Sequence, residues 1–167
     1  MTKIEKEALP QSVTPTKYDI TLTPNFDNLT FEGEQIIDIH TREPTSCITL
    51  HSTEISIGLV EVTVPGGSTF KPTKTVFDQE GETVAFCFDS QMLVGNSKLR
   101  IQFSGELNDK LRGFYRSNYL NPEGTNQLLA TTQFESTDAR RAFPCWDEPS
   151  LKATFKLSLV IPKDLVA

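Results

Sequence analysis

The sequence lacks most of what a self-sufficient enzyme draws on. It has two histidines in 167 residues, His40 and His51, and no His-Glu-x-x-His pair. The three or four converging ligands of a zinc site are therefore not supplied. No Gly-x-Ser-x-Gly elbow occurs, no cysteine stands beside a histidine, and no Gly-x-x-x-x-Gly-Lys loop is present to cradle a phosphate. Cysteine is scarce: Cys47, Cys87 and Cys145 are an odd number with no close pair, which reads as free thiols in a reducing compartment. Positive charge is in deficit, 16 Lys and Arg against 22 Asp and Glu for a net charge of −6. That excludes a nucleic-acid surface and an anionic membrane surface, both of which need clustered cations. No apolar run approaches the roughly 20 residues that span a bilayer, and residues 1–10 (MTKIEKEALP) lack the apolar centre of a signal peptide. A cytoplasmic protein is expected, with the sequon Asn28-Leu29-Thr30 idle.

What remains is enough for one core, since a chain of this length buries roughly 68–70% of the surface it exposes when unfolded. Residues 1–16 read as a lead-in and residues 17–167 as the domain. From Tyr18 the side chains of Tyr18, Ile20 and Leu22 recur at the strand period of two. Residues 31–40 set Glu32, Glu34 and Asp38 against Phe31, Ile37 and Ile39, as in an antiparallel strand with one wet face. Gly33 inside it predicts a bulge or a close backbone approach. Comparable runs occupy 47–50, 55–64, 83–88 and 98–103, separated by Pro65-Gly66-Gly67, Asp78-Gln79-Glu80-Gly81 and Val94-Gly95-Asn96. Further strands are expected at 128–134 and around Ala153, Phe155, Leu157 and Leu159, and no helix of two turns or more. The pattern predicts an all-β fold, a sandwich or saddle of antiparallel strands. A final strand with a bare edge is an aggregation liability, so the chain is expected to be part of something longer.

Two constellations could carry chemistry. In Thr132-Gln133-Phe134-Glu135 an extended backbone turns Gln133 and Glu135 to the same side, about 6–7 Å apart. An amide and a carboxylate so presented suit a protonated amine, or else form a solvated strand face. In residues 138–149 (DARRAFPCWDEP), Arg140 and Arg141 balance Asp147 and Glu148 around Phe143, Cys145 and Trp146. The carboxylates are either an acid/base pair or half of an ion-pair knot locking an irregular segment. Adjacent residues on an extended chain point apart, which favours the knot.

Residues 132–155 (TQFESTDARRAFPCWDEPSLKATF) closely resemble the end of the N-terminal domain of zinc aminopeptidases of the aminopeptidase N and puromycin-sensitive aminopeptidase family. Leu9-Pro10, Pro15-Thr16-Lys17-Tyr18-Asp19, Phe31-Glu32-Gly33-Glu34 and residues 107–117 (LNDKLRGFYRS) resemble it too, so the likeness covers roughly residues 8–162. The cytosolic puromycin-sensitive branch, with its fungal members, is the most similar. The resemblance implies a saddle-like antiparallel β-sandwich packed against a catalytic domain, and removal of single residues from peptide N-termini. It implies that Glu135 helps to hold the substrate α-amine and that Gln133 lines the pocket for the first side chain. It assigns residues 140–149 to the scaffold. The family's GAMEN motif, its HExxH zinc helix, the glutamate ligand and the catalytic tyrosine match nothing here. Zinc is therefore implied for a full-length parent enzyme, with ligands outside this chain, and this chain alone is expected to be inactive. The alternative is a standalone, non-enzymatic β module that binds a protein partner. A carbohydrate-binding sandwich fits less well, because Trp146 is the only tryptophan and stands between prolines.

Overall fold

The computed structural model describes residues 8–167. Eleven strands follow in chain order: β1 (Val13–Asn25), β2 (Thr30–Thr41), β3 (Thr45–His51), β4 (Ile55–Thr63), β5 (Thr69–Phe70), β6 (Lys74–Asp78), β7 (Thr83–Met92), β8 (Gly95–Glu106), β9 (Gly113–Leu120), β10 (Asn126–Gln133) and β11 (Thr154–Leu159). Among the described residues the one regular helical element is a single 3-10 turn, Ala139–Arg141. No helix there is long and apolar enough to cross a membrane.

The strands form a six-stranded sheet in the order β11-β1-β2-β8-β4-β5, a three-stranded sheet β3-β7-β6 and the hairpin β9-β10. Alternation decides which face is buried. In β2 the inward side chains Phe31, Ile37 and Ile39 meet Leu99 and Ile101 of β8, while Ile48, Leu50, Val84 and Phe86 come from the three-stranded sheet, and all belong to one hydrophobic cluster. This is the all-β sandwich expected from the period-two runs. Gln35 also points inward, fully buried, and its Nε2 donates to the carbonyl of Pro144 at 2.7 Å. Gly33 is a close approach and not a bulge. The pairing with β1 and β8 passes through it without a register shift, and an added Cβ would lie 2.3 Å from the Phe103 ring opposite.

Several expectations need correction. β11 pairs parallel to β1, Lys17 opposite Thr154 through Leu22 opposite Leu159, in a sheet otherwise antiparallel. The terminal strand therefore has a partner on one side. β1 opens at Val13, inside the stretch read as a lead-in, because Val13, Thr14 and Tyr18 are buried; residues 1–7 of that stretch lie outside the described residues. The short edge strands β5 and β6 fall where no strand was expected, and all of their residues are exposed, so no burial pattern announces them. Cys47 and Cys87 are not free thiols. They stand directly opposite each other on β3 and β7 and form a disulfide, with Cα atoms 4.1 Å apart. Cys145 is free and buried.

Candidate functional site

The segment that follows β10 is built outward from one aromatic peg. Phe134 is half-buried and meets Phe143 edge-on at 5.9 Å; Phe143 in turn packs on Tyr18 and Phe155. With Phe134 turned inward, its neighbours Gln133 and Glu135 are both exposed. Gln133 is the last residue of β10, paired with Gly113 at the start of β9, and Glu135 opens a turn closed by the Asp138 N–H donating to the Phe134 carbonyl at 2.8 Å. The Glu135–Ser136 peptide is cis. Among the described residues neither the Gln133 nor the Glu135 side chain has a hydrogen-bond or ion-pair partner.

The surrounding charges are all engaged. Arg140, with its side chain 3% exposed, places Nε 2.9 Å from Asp147 and Nη1 3.0 Å from Glu82. Arg141 spreads its guanidinium over three carboxylates: Nε to Asp138 at 2.8 Å, Nη1 to Glu54 at 2.9 Å and Nη2 to Glu82 at 3.1 Å. Burial works against the Arg141 charge, but the hydrogen bond to Asp138 and the carboxylates of Glu54 and Glu82 outweigh it and hold the guanidinium above its ordinary value. The knot reading of residues 138–149 therefore holds for Asp147 and needs correcting for Glu148. Glu148 leaves the arginines and accepts from the Leu9 N–H at 2.6 Å and from Gln11 Nε2 at 3.4 Å, fixing the chain ahead of β1. Glu82 and Glu54 take its place; no local pattern announces either, since they reach the knot from the turns before β7 and β4.

The irregular segment is fastened to both sheets. His51 and Cys145 exchange backbone hydrogen bonds of 2.8 and 3.0 Å, the Asp147 N–H donates to His51 Nδ1 at 3.2 Å, and the Trp146 N–H donates to the Tyr18 hydroxyl at 3.2 Å. Trp146 is 5% exposed, so it presents no stacking face for a sugar. His40 lies elsewhere, its Nδ1 2.7 Å from Asn96 Oδ1. Among the described residues no three His, Cys, Asp or Glu side chains come together to hold a metal ion. The described residues thus do not fit a zinc ion of their own. What the geometry presents is an exposed amide at the end of β10 and an exposed carboxylate at the start of the turn that follows.

The Peptidase M1 N-terminal domain model matches residues 14–167. Aminopeptidase 2 of Candida albicans is 47% identical over 165 residues, which cover 98% of this chain and 17% of that protein. The puromycin-sensitive aminopeptidase of Caenorhabditis elegans is 38% identical over 164 residues, again 98% of this chain and 17% of that protein. The alanine/arginine aminopeptidase of Saccharomyces cerevisiae is 42% identical over 158 residues, 94% of this chain and 18% of that one. The chain thus spans less than a fifth of the length of these curated relatives.

Proposed function

The chain belongs to the Peptidase M1 N-terminal domain family, and from that premise we propose that it forms the substrate-contacting wall of an aminopeptidase. In this reading Glu135 accepts hydrogen bonds from the protonated α-amine of a peptide, and Gln133 lines the pocket for its first side chain. The observation that supports it is a contrast: Asp138, Asp147, Glu148, Glu82 and Glu54 are all taken by arginines or backbone, whereas Glu135 is exposed and unpartnered among the described residues. A carboxylate kept clear of a dense cation cluster, next in sequence to an aromatic peg, is available to an outside cation. The zinc and the group that activates water belong to the remainder of the enzyme.

Magnitudes say why the rest is needed. One charge-assisted hydrogen bond contributes about 1.5–3 kcal/mol, and even millimolar affinity requires about 4.1 kcal/mol. Glu135 alone therefore binds peptides too weakly to matter and acts as an orienting contact beside the catalytic groups. The exposed apolar strip on β11, Phe155, Leu157 and Leu159 with Val160 beyond it, supports a protein partner for this face. We assign that partner as the catalytic part of the same enzyme. A separate binding partner is the competing reading of the same strip. Co-purification of the chain with a catalytic domain expressed in trans supports the first, and a chain that ignores that domain supports the second. We place the enzyme in the cytoplasm; recovery from a secretory fraction, where a Cys47–Cys87 disulfide forms unaided, contradicts that placement.

In the intact enzyme, E135Q should raise KM for an aminoacyl chromogenic substrate roughly ten- to a hundredfold, the equivalent of about 1.5–3 kcal/mol. A fall in kcat accompanies it if amine positioning strengthens in the transition state. Kinetics identical to the unsubstituted enzyme would remove Glu135 from the site.

A further inference from the structure

We infer that Arg141 is the positioning residue of the Gln133–Glu135 pair, tying together the two elements that present these side chains. The inference rests on the reading of Glu135 as the amine contact. On the Glu135 side, the turn from Phe134 to Asp138 is closed by one backbone hydrogen bond, and Arg141 holds its far end twice. Its Nε reaches the Asp138 carboxylate at 2.8 Å and its N–H donates to the Asp138 carbonyl at 3.1 Å. On the Gln133 side, the ladder partner of Gln133 is Gly113, a left-handed residue with φ of 69°. A Cβ on Gly113 would lie 2.7 Å from Arg141 Cβ and 3.4 Å from its carbonyl carbon. The Arg141 backbone therefore rests directly on the end of the hairpin that presents Gln133.

The guanidinium is in turn fixed from outside the segment. Glu54 and Glu82 lie in distant turns, and both adopt left-handed backbone conformations, φ 58° and 52°, that side-chain-bearing residues rarely occupy. Such conformations persist where the surroundings over-determine them. Each of three guanidinium nitrogens meets a different carboxylate. That demands the planar fork of arginine; a lysine ammonium cannot span all three. Arg140 differs, since its side chain bonds Asp147 and Glu82 instead of Asp138.

The test compares inhibition of the intact aminopeptidase by leucinamide and by isocaproamide, the same molecule without its amine. The ratio of their inhibition constants reads how well Glu135 is aimed. In R141Q leucinamide should weaken about tenfold while isocaproamide changes less than about twofold, with R141K between R141Q and the unsubstituted enzyme. G113A, which keeps every charge, should move the ratio in the same direction and gives the answer if R141Q does not fold. An unchanged ratio in R141Q and G113A, with a reduced ratio in E135Q, overturns the positioning role and leaves Glu135 in place. An unchanged ratio in E135Q overturns the amine contact itself. Equal weakening of both inhibitors in R141Q makes Arg141 a general support and also overturns the inference.

Discussion

Glu135 owes its availability to what its neighbours do. Phe134 is drawn inward by Phe143, Asp138 is drawn back by Arg141, and the carboxylate between them has no partner among the described residues. Equally local logic governs Gly33, whose place in β2 is set by the Phe103 ring lying across it. G33A should cost about 1–3 kcal/mol by overpacking, read as a lower urea midpoint. F103L in the same chain should restore part of it, and an unmoved midpoint in G33A contradicts the contact. Two buried groups next to the knot set the response to alkali. Burial pushes the Tyr18 phenol above its ordinary 10.0, with the charges of Cys145 and Asp147 adding to it, and burial with Asp147 pushes the Cys145 thiol well above 9.0. Both are raised, so the fold favours the protonated forms while the unfolded chain ionises at the ordinary values. The stability they lend is complete below about pH 9 and is lost as pH rises past 9.0 and 10.0. The slope is at most about 1.4 kcal/mol per pH unit for each group. Melting temperatures should thus fall between about pH 8 and pH 11, and the fall should be shallower in Y18F. A flat profile contradicts the burial of these groups.

At the scale of elements, the disulfide makes the sharpest expectation. It joins β3 to β7 across a sequence separation of 40, a loop whose closure lowers the entropy of the unfolded chain by about 4 kcal/mol at 25 °C. Reduction, or the C47S/C87S double substitution, should lower Tm by roughly 8–16 °C. Equal melting temperatures with and without dithiothreitol contradict a formed bond. The sequence could not reveal this pairing, because Cys47 and Cys87 become neighbours only through the register that sets Ile48 against Phe86 and Leu50 against Val84. The strands themselves were legible where apolar and polar side chains alternate, as in β2 and β8, but β9, whose buried Gly113 and Phe114 stand side by side, was not expected. Nor were β5 and β6, two short edge strands whose residues are all exposed. β11 was legible as a strand through Phe155, Leu157 and Leu159, but its parallel pairing with β1 is a fact of topology that no local period encodes.

Across the whole molecule the same division holds for the site. Gln133 and Glu135 could be singled out because alternation in an extended segment would turn them to one side, although the strand itself ends at Gln133 and Glu135 lies in the turn beyond. Their support could not, because Glu54, Glu82 and Gly113 reach Arg141 from three separate turns or strand ends. The resulting object is a sandwich with a fastened irregular segment, an unpaired carboxylate and, among the described residues, no grouping able to hold a metal ion. On the function proposed above, such an object holds and aims a substrate amine, and bond cleavage falls to other parts of an enzyme. The direct test is turnover of an aminoacyl chromogenic substrate by this 167-residue chain alone, with and without added zinc. The account predicts no hydrolysis above the uncatalysed rate in either condition, whereas hydrolysis abolished by a chelator and restored by zinc would contradict it.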